Sequence, residues 1–437
     1  MGKTSCLQPI SPTLQEIATH AEQYPEMVFT TLWHKVDVEW LRVAYALTRK
    51  DGASGVDGVT AAAYAENLEE KLVKLHQKLQ EGRYVAPPVE RCWIEKDDGT
   101  QRPIGIPTFE DKIVQRAVVL LMEPIYEHDF ASCSYGFRRA RSAHHAIQTL
   151  REQCVGQEIH WIVDADVSGF FDNIDHGHLR EFLRRRVNDG NVVRMIGKWL
   201  HAGVMDAGQV DYPENGTPQG GVISPLLANI FLHYVLDEWF LTVVRPRLKG
   251  RCFLVRYADD FVIGCELEED ARRVMAVLPK RFDRYALTIH PTKTKLVDFR
   301  PPTKQQKAVE EDHTFNFLGF THYWAKSRRG TWVIKRKTMR KRLTRFVKRV
   351  WQWCRRTRHA RIRDQYQALC RKLRGNYQYF GIRCNYKALQ RVYESARKAW
   401  RYWLRRRSHK GKVTWEQAVR TILAKYPLPK PRIIHNI

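Results

Sequence analysis

Two aspartates stand side by side in "CFLVRYADDFVIG" (252–264), Asp259 and Asp260, with apolar residues on both flanks. A second segment, "WIVDADV" (161–167), closes another apolar run with Asp164 and Asp166. Short apolar runs of this kind read as buried strands, so the carboxylates belong at strand ends, on the rim of a sheet. Two carboxylates ~4 Å apart repel by roughly 4 kcal/mol at an effective dielectric near 20. Such a cluster takes up protons or a cation. Oxygen donors with access to water suit Mg²⁺, with Mn²⁺ as a substitute. Two ions roughly 3.5–4 Å apart activate a hydroxyl nucleophile and stabilise a leaving pyrophosphate oxygen. Asp166, Asp259 and Asp260 are the candidate ligands; Asp164 shares a strand face with Asp166 and is expected in a supporting position.

The flanking pattern gives the elements that must hold these side chains. "EIHWIVDADV" reads as a strand and "HGHLREFLRRRV" as a helix opening after Asp175. "SPLLANIFLHYVLDEWF" reads as a helix with Ser224 as N-cap and Pro225 at its first position. Residues 252–264 form strand, tight turn, strand; a helix from about Glu268 to Tyr285 and the strand "TKLVDF" complete the unit. A β-α-β-β-α-β order is a split βαβ arrangement on an antiparallel sheet, with the first strand beside the central hairpin and Asp166 facing Asp259. Upstream, residues 1–80 are expected to be mostly helical, with one helix running from Thr60 to Leu79. "RCWIEKDDGTQRPIGIP" reads as a hairpin turning at Asp98-Gly99, and a helix follows from Asp111 to about Tyr126. His176 and His178 read as solvated residues of a first helical turn rather than a zinc pair.

The 437 residues carry a net charge of +27, and 43% are hydrophobic. Charge is placed unevenly: Lys335–Lys410 holds 27 Lys and Arg against two acids, Asp364 and Glu394. Apolar residues in that segment recur at helical spacing along three stretches, 339–354, 362–373 and 389–403, and a last helix is expected from Thr414. Self-repulsion of that size calls for a polyanionic partner. Nucleic acid is favoured over a membrane, because the longest mostly apolar stretch, Val222–Leu236, is interrupted by polar residues and too short to span a bilayer. No signal peptide is read at the start. Nine scattered cysteines without a C-x-x-C pair suit a reducing cytosol and buried thiols.

Seven of these segments, in order, resemble the reverse transcriptase/maturase encoded by group II introns. "YADD" (257–260) is similar to polymerase motif C, "DVSGFFDNID" (166–175) to motif A, and "GTPQGGVISPLLANIFL" (216–232) to motif B. "GASGVDGVT" (52–60) resembles the N-terminal RT0 loop, "RPIGIPTFEDKIVQRAV" and "SYGFRRARSAHHAI" the fingers motifs, and "LCRKLRGNYQYFG" (369–381) the core of the maturase-specific thumb. "LTIHPTKTKLVDF" and "FNFLGF" stand where the family has further motifs.

The resemblance implies an α+β right-hand polymerase: an N-terminal helical extension (1–85), fingers and palm (86–325), and an all-α basic thumb or maturase domain (326–437). It implies RNA-directed DNA synthesis from dNTPs on an RNA template with a DNA primer, catalysed by Asp166, Asp259 and Asp260 with two Mg²⁺ ions, together with binding of intron RNA. Lys96 and Arg102 would clamp the triphosphate, and Phe171 would exclude a 2′-hydroxyl. Gln219 would contact the nucleotide, and Lys293 would neutralise pyrophosphate. Arg374, Arg405, Arg406 and Arg407 would grip RNA phosphates in a cytoplasmic setting. Many relatives continue into a DNA-binding segment and an endonuclease; neither is read here, so priming is expected from nicked or replicating DNA. Two alternatives stay open, a host-adopted enzyme of defence or repair and a splicing-only RNA-binding maturase. An RNA-dependent RNA polymerase is disfavoured by Phe171.

Overall fold

The computed structural model describes residues 10–95, 99, 101–206, 208–212, 215–217, 219–302, 313–407 and 424–437. Its strands are β1 (Val89–Glu95), β2 (Gln101–Ile106), β3 (Trp161–Ala165), β4 (Val167–Ser168), β5 (Val204–Asp206), β6 (Gln209–Asp211), β7 (Cys252–Tyr257), β8 (Asp260–Cys265), β9 (Thr288–Ile289), β10 (Lys295–Asp298), β11 (Phe315–Phe317), β12 (Phe320–Lys326) and β13 (Trp332–Thr338). The fold is mixed α+β. A central sheet has the order β10-β3-β8-β7 and is antiparallel throughout.

Apolar runs without alternation in β3, β7 and β8 follow from burial on both faces of this sheet. Val163, Leu254, Phe261 and Ile263 face one core, shared with the helix Phe109–Asp129. Ile162, Val255, Val262 and Val297 face a second core, built with Ile147 and Leu150 of the helix Ala143–Gly156 and with Phe315, Phe317, Phe320 and Ile334. Those last four belong to a separate sheet, β11-β12-β13. A third core joins Val350, Leu369, Leu373, Leu389, Val392 and Trp400 of three basic helices, Arg340–Arg356, Ile362–Phe380 and Tyr386–Leu404.

Several expectations need correction. The helix from Thr60 breaks into Ala61–Ala65 and Leu68–Gln80, because Asn67 adopts a left-handed conformation (φ 55°). Ser224 is the first helical residue and not the cap; Gln115 Oε1 accepts the Val222 N–H (2.6 Å) and the Ile223 N–H, so a neighbouring helix fixes the chain just ahead of the first turn. The helix from Ser224 continues to Arg247, long and apolar enough to cross a membrane, yet most of it is buried inside the protein. Residues 326–437 are not all helical, since β12 and β13 pair across position 326. Cys92 and Cys384 are exposed rather than buried. His176 is buried, its Nε2 2.7 Å from the Gly216 carbonyl oxygen, and so is not solvated. The helix expected from Thr414 lies outside the described residues.

Candidate active site

Strand register decides how the carboxylates meet. Ala165 pairs with Phe261, the last pair between these strands, so Asp166 follows directly beside the hairpin end, and its charge acts on both Asp259 and Asp260. Tyr257 pairs with Asp260, leaving a two-residue turn of Ala258 and Asp259. Ala258 sits at φ 56°, a conformation costing about 1–2 kcal/mol for an L-residue. The surroundings must hold that turn in place.

The three carboxylates lie within electrostatic reach of one another. Burial pushes Asp260 up to about 6, helped by the charges of Asp259 and Asp166 and eased by Arg342 and Lys293. Burial also raises Asp259, and Arg102 opposes the rise. Asp164 goes up to about 7, through burial first and then Asp260 and Asp166. Asp260 keeps an edge open to water although protein surrounds it on most sides, so solvent tempers its rise more than that of Asp164. A cation already occupies the rim: Lys293 Nζ is 2.9 Å from Asp166 Oδ2.

Among the described residues, no three His, Cys, Asp or Glu side chains close around one point as a metal cage. Magnesium is commonly held by one or two carboxylates, with water and substrate phosphates completing its octahedron. Hard oxygen donors, a proton affinity of Asp259 and Asp260 raised first by burial, and a water-accessible edge fit such an open site. The residues present therefore fit a divalent ion.

Asp260 lines a cleft of about 500 Å³ with Leu318, Gly319, Arg342, Arg345, Arg349 and Tyr379. The three arginines, at i, i+3 and i+7 of the first basic helix, share one face. Sequence reading missed them, although their spacing in "RKRLTRFVKRV" was visible. Arg374, Arg405, Arg406 and Arg407 do not line this cleft. Arg406 lies 3.7 Å from the centroid of the Tyr402 ring, and Arg407 donates to the His359 carbonyl.

On the other side, Arg102 Nε donates to Gln219 Oε1 at 2.5 Å, and Gln219 Nε2 donates to Asp172 Oδ1 at 3.2 Å. Gly105 N–H donates to the Gln219 carbonyl at 2.7 Å. Gly220 has φ 124°, and a Cβ there would lie 2.4 Å from the Gly105 oxygen, so only glycine lets the two backbones approach. Gln219 and Asp172 line a cavity of about 230 Å³ with Arg91, Pro103, Gly105 and Thr217. Phe171 is 8% exposed and packs on Phe170 at 5.3 Å. Lys96 lies outside the described residues.

The family model for "Reverse transcriptase (RNA-dependent DNA polymerase)" matches residues 94–322, just over half of the chain, and includes Asp166, Asp259 and Asp260. The chain belongs to the reverse transcriptase family. It is 36% identical over 286 residues to protein YkfC of Escherichia coli K12, covering 58% of this chain and 75% of that protein. It is 39% identical over 242 residues to the group II intron-encoded protein LtrA of Lactococcus lactis, covering 54% of this chain but 39% of LtrA. Nuclear intron maturase 1, mitochondrial, of Arabidopsis thaliana is 33% identical over 90 residues, 21% of this chain and 12% of that protein. These relatives place the reverse transcriptase with the group II intron-encoded branch, an RNA-directed DNA polymerase whose family uses divalent metals and nucleic-acid substrates.

Proposed function

We propose that this reverse transcriptase copies RNA into DNA at the rim where Asp166 meets the Asp259–Asp260 hairpin end. That juxtaposition carries the reading: pure RNA binding gains nothing from clustered acids that repel phosphate. Asp166, Asp259 and Asp260 would hold two Mg²⁺ ions, which supply activation of the primer hydroxyl and charge stabilisation of leaving pyrophosphate. The chain's own groups do the rest. Arg102, tied to Gln219, meets the triphosphate with Lys96, and the edge of Phe171 limits the space at the sugar. Lys293, ion-paired with Asp166, would offset charge on the departing phosphates. Arg342, Arg345 and Arg349 steer the primer–template end along the cleft to Asp260.

The division into an N-terminal extension (1–85), fingers and palm (86–325) and a thumb follows, with the three basic helices of the thumb beginning after Thr338. Its excess of cations suits phosphates of A-form RNA, which supports a maturase role on intron RNA in the cytoplasm. Primer extension with the purified chain tests the polymerase reading. RNA templates with dNTPs should yield full-length product, and NTPs should not replace dNTPs. Extension with NTPs alone would overturn it.

A further inference from the structure

Arg256 is a lone cation in the apolar strand β7, and neither its side chain nor that of Asp237 has any exposed surface. All five of its N–H donors are used. Nε donates to Asp237 Oδ1 at 2.7 Å and Nη2 to Asp237 Oδ2 at 2.5 Å. Nη2 also donates to Ser134 Oγ at 2.8 Å. Nη1 donates to Asn229 Oδ1 at 3.0 Å and to the Ala258 carbonyl at 3.1 Å. Asn229 Nδ2 in turn donates to the Gly136 carbonyl at 2.7 Å.

These bonds gather three elements behind the turn. Asn229 and Asp237 come from the helix that starts at Ser224. Ser134 and Gly136 come from a loop that bridges to β7 at one point, with the Arg256 N–H donating to the Cys133 carbonyl and the Tyr135 N–H to the Arg256 carbonyl, both at 2.8 Å. Gly136 lies so close that a Cβ would stand 2.3 Å from the Ala258 nitrogen. The strained residue of the turn, Ala258, is thus gripped through its carbonyl oxygen and packed against at its nitrogen. Burying a guanidinium and a carboxylate together costs several kcal/mol of desolvation per ion, and a pair of well-packed apolar residues would fill the same volume without that cost. The five-fold bonding gives what apolar residues cannot, a fixed direction for the Ala258 carbonyl.

We infer that Arg256, with Asp237, Asn229 and Ser134, is a positioning device that sets the orientation of the Asp259–Asp260 turn for nucleotidyl transfer. The inference rests on the polymerase reading and goes beyond it: these residues touch no substrate and act through the backbone of Ala258.

The experiment compares the full-length chain with the double variant Arg256→Met/Asp237→Leu, which removes both buried charges at once. Measured together are melting temperature, affinity for a primed RNA template, and single-turnover dNTP addition. The expected result is melting and template affinity close to those of the parent chain, with the rate of addition down by about 10- to 100-fold and little change in the dNTP concentration at half-maximal rate. A double variant that folds, binds and adds nucleotides at the parental rate overturns the inference. Should the double variant fail to fold, Ser134→Ala and Asn229→Leu serve instead, each removing one bond to the guanidinium. Both should slow addition while leaving template affinity unaltered, and parental rates in both would overturn it. If Asp259→Asn, run in parallel, still extends primers at the parental rate, the polymerase reading itself fails; that outcome is distinct from failure of the positioning role.

Discussion

The rim of the central sheet and the basic helices place charge by opposite rules. At the rim, three carboxylates stand where register and one strained turn put them, and a single buried guanidinium fixes the turn. In the helices, cations are many and face water, with apolar stripes turned inward. A surface cation there contributes through its distance to phosphate and is screened by salt; its neighbours repeat the contribution. The difference teaches that the site should be brittle to single substitutions and the bundle tolerant of them.

The strongest test of this contrast is Asp259→Asn. Loss of one rim carboxylate should reduce primer extension by on the order of 10³-fold or more, while RNA affinity, measured by filter binding, hardly moves. Comparable losses of both would erase the contrast. Gly220→Ala comes next, because its Cβ meets the Gly105 oxygen and its backbone is left-handed. Strain of about 1–3 kcal/mol should lower both melting temperature and dNTP addition, and an unchanged rate would detach this loop from the site.

A smaller and graded effect is expected in the bundle. Arg405, Arg406 and Arg407 changed together to Gln should lower the slope of log affinity against log salt by roughly 2–3 units, with extension on a saturating primed template preserved. An unchanged slope would remove these arginines from the RNA surface.

The smallest effect concerns His322, which is 1% exposed, stacked on Phe315, and has neither ring nitrogen bonded among the described residues. Burial, helped by Arg336, pushes it down to about 3. Its folded value lies below its unfolded one, so the unfolded chain takes up the proton first. Stability is unaffected above pH ~6.5 and falls as pH drops from there towards 3. His322→Phe should raise stability by about 1 kcal/mol at neutral pH and flatten that acid limb in urea titrations followed by fluorescence. A limb as steep as the parent's would assign the loss to other groups.

How far the sequence could be read varied with distance along the chain. Helix starts at Thr60 and Asp175 were legible because Thr and Asp satisfy N–H groups two or three residues away. The start at Ser224 was misjudged by one residue because the chain entering this helix is fixed by Gln115, more than 100 residues upstream. Arg256 carried a signal that went unused: a charge inside an apolar strand must find a partner, and here the partners stand 19, 27 and 122 residues away.

By itself the sequence determined local matters: the strands and helices around the acids, where acids end a strand, and that the basic excess lies in one stretch. These follow from periodicity and short-range bonding, which neighbours in the chain settle between themselves. Only the tertiary structure decided that Asp166 comes within reach of both turn aspartates, that Lys293 reaches Asp166, and that the arginines lining the cleft are 342, 345 and 349. Strand register and burial of charge are agreements between distant segments, and no local pattern contains both parties.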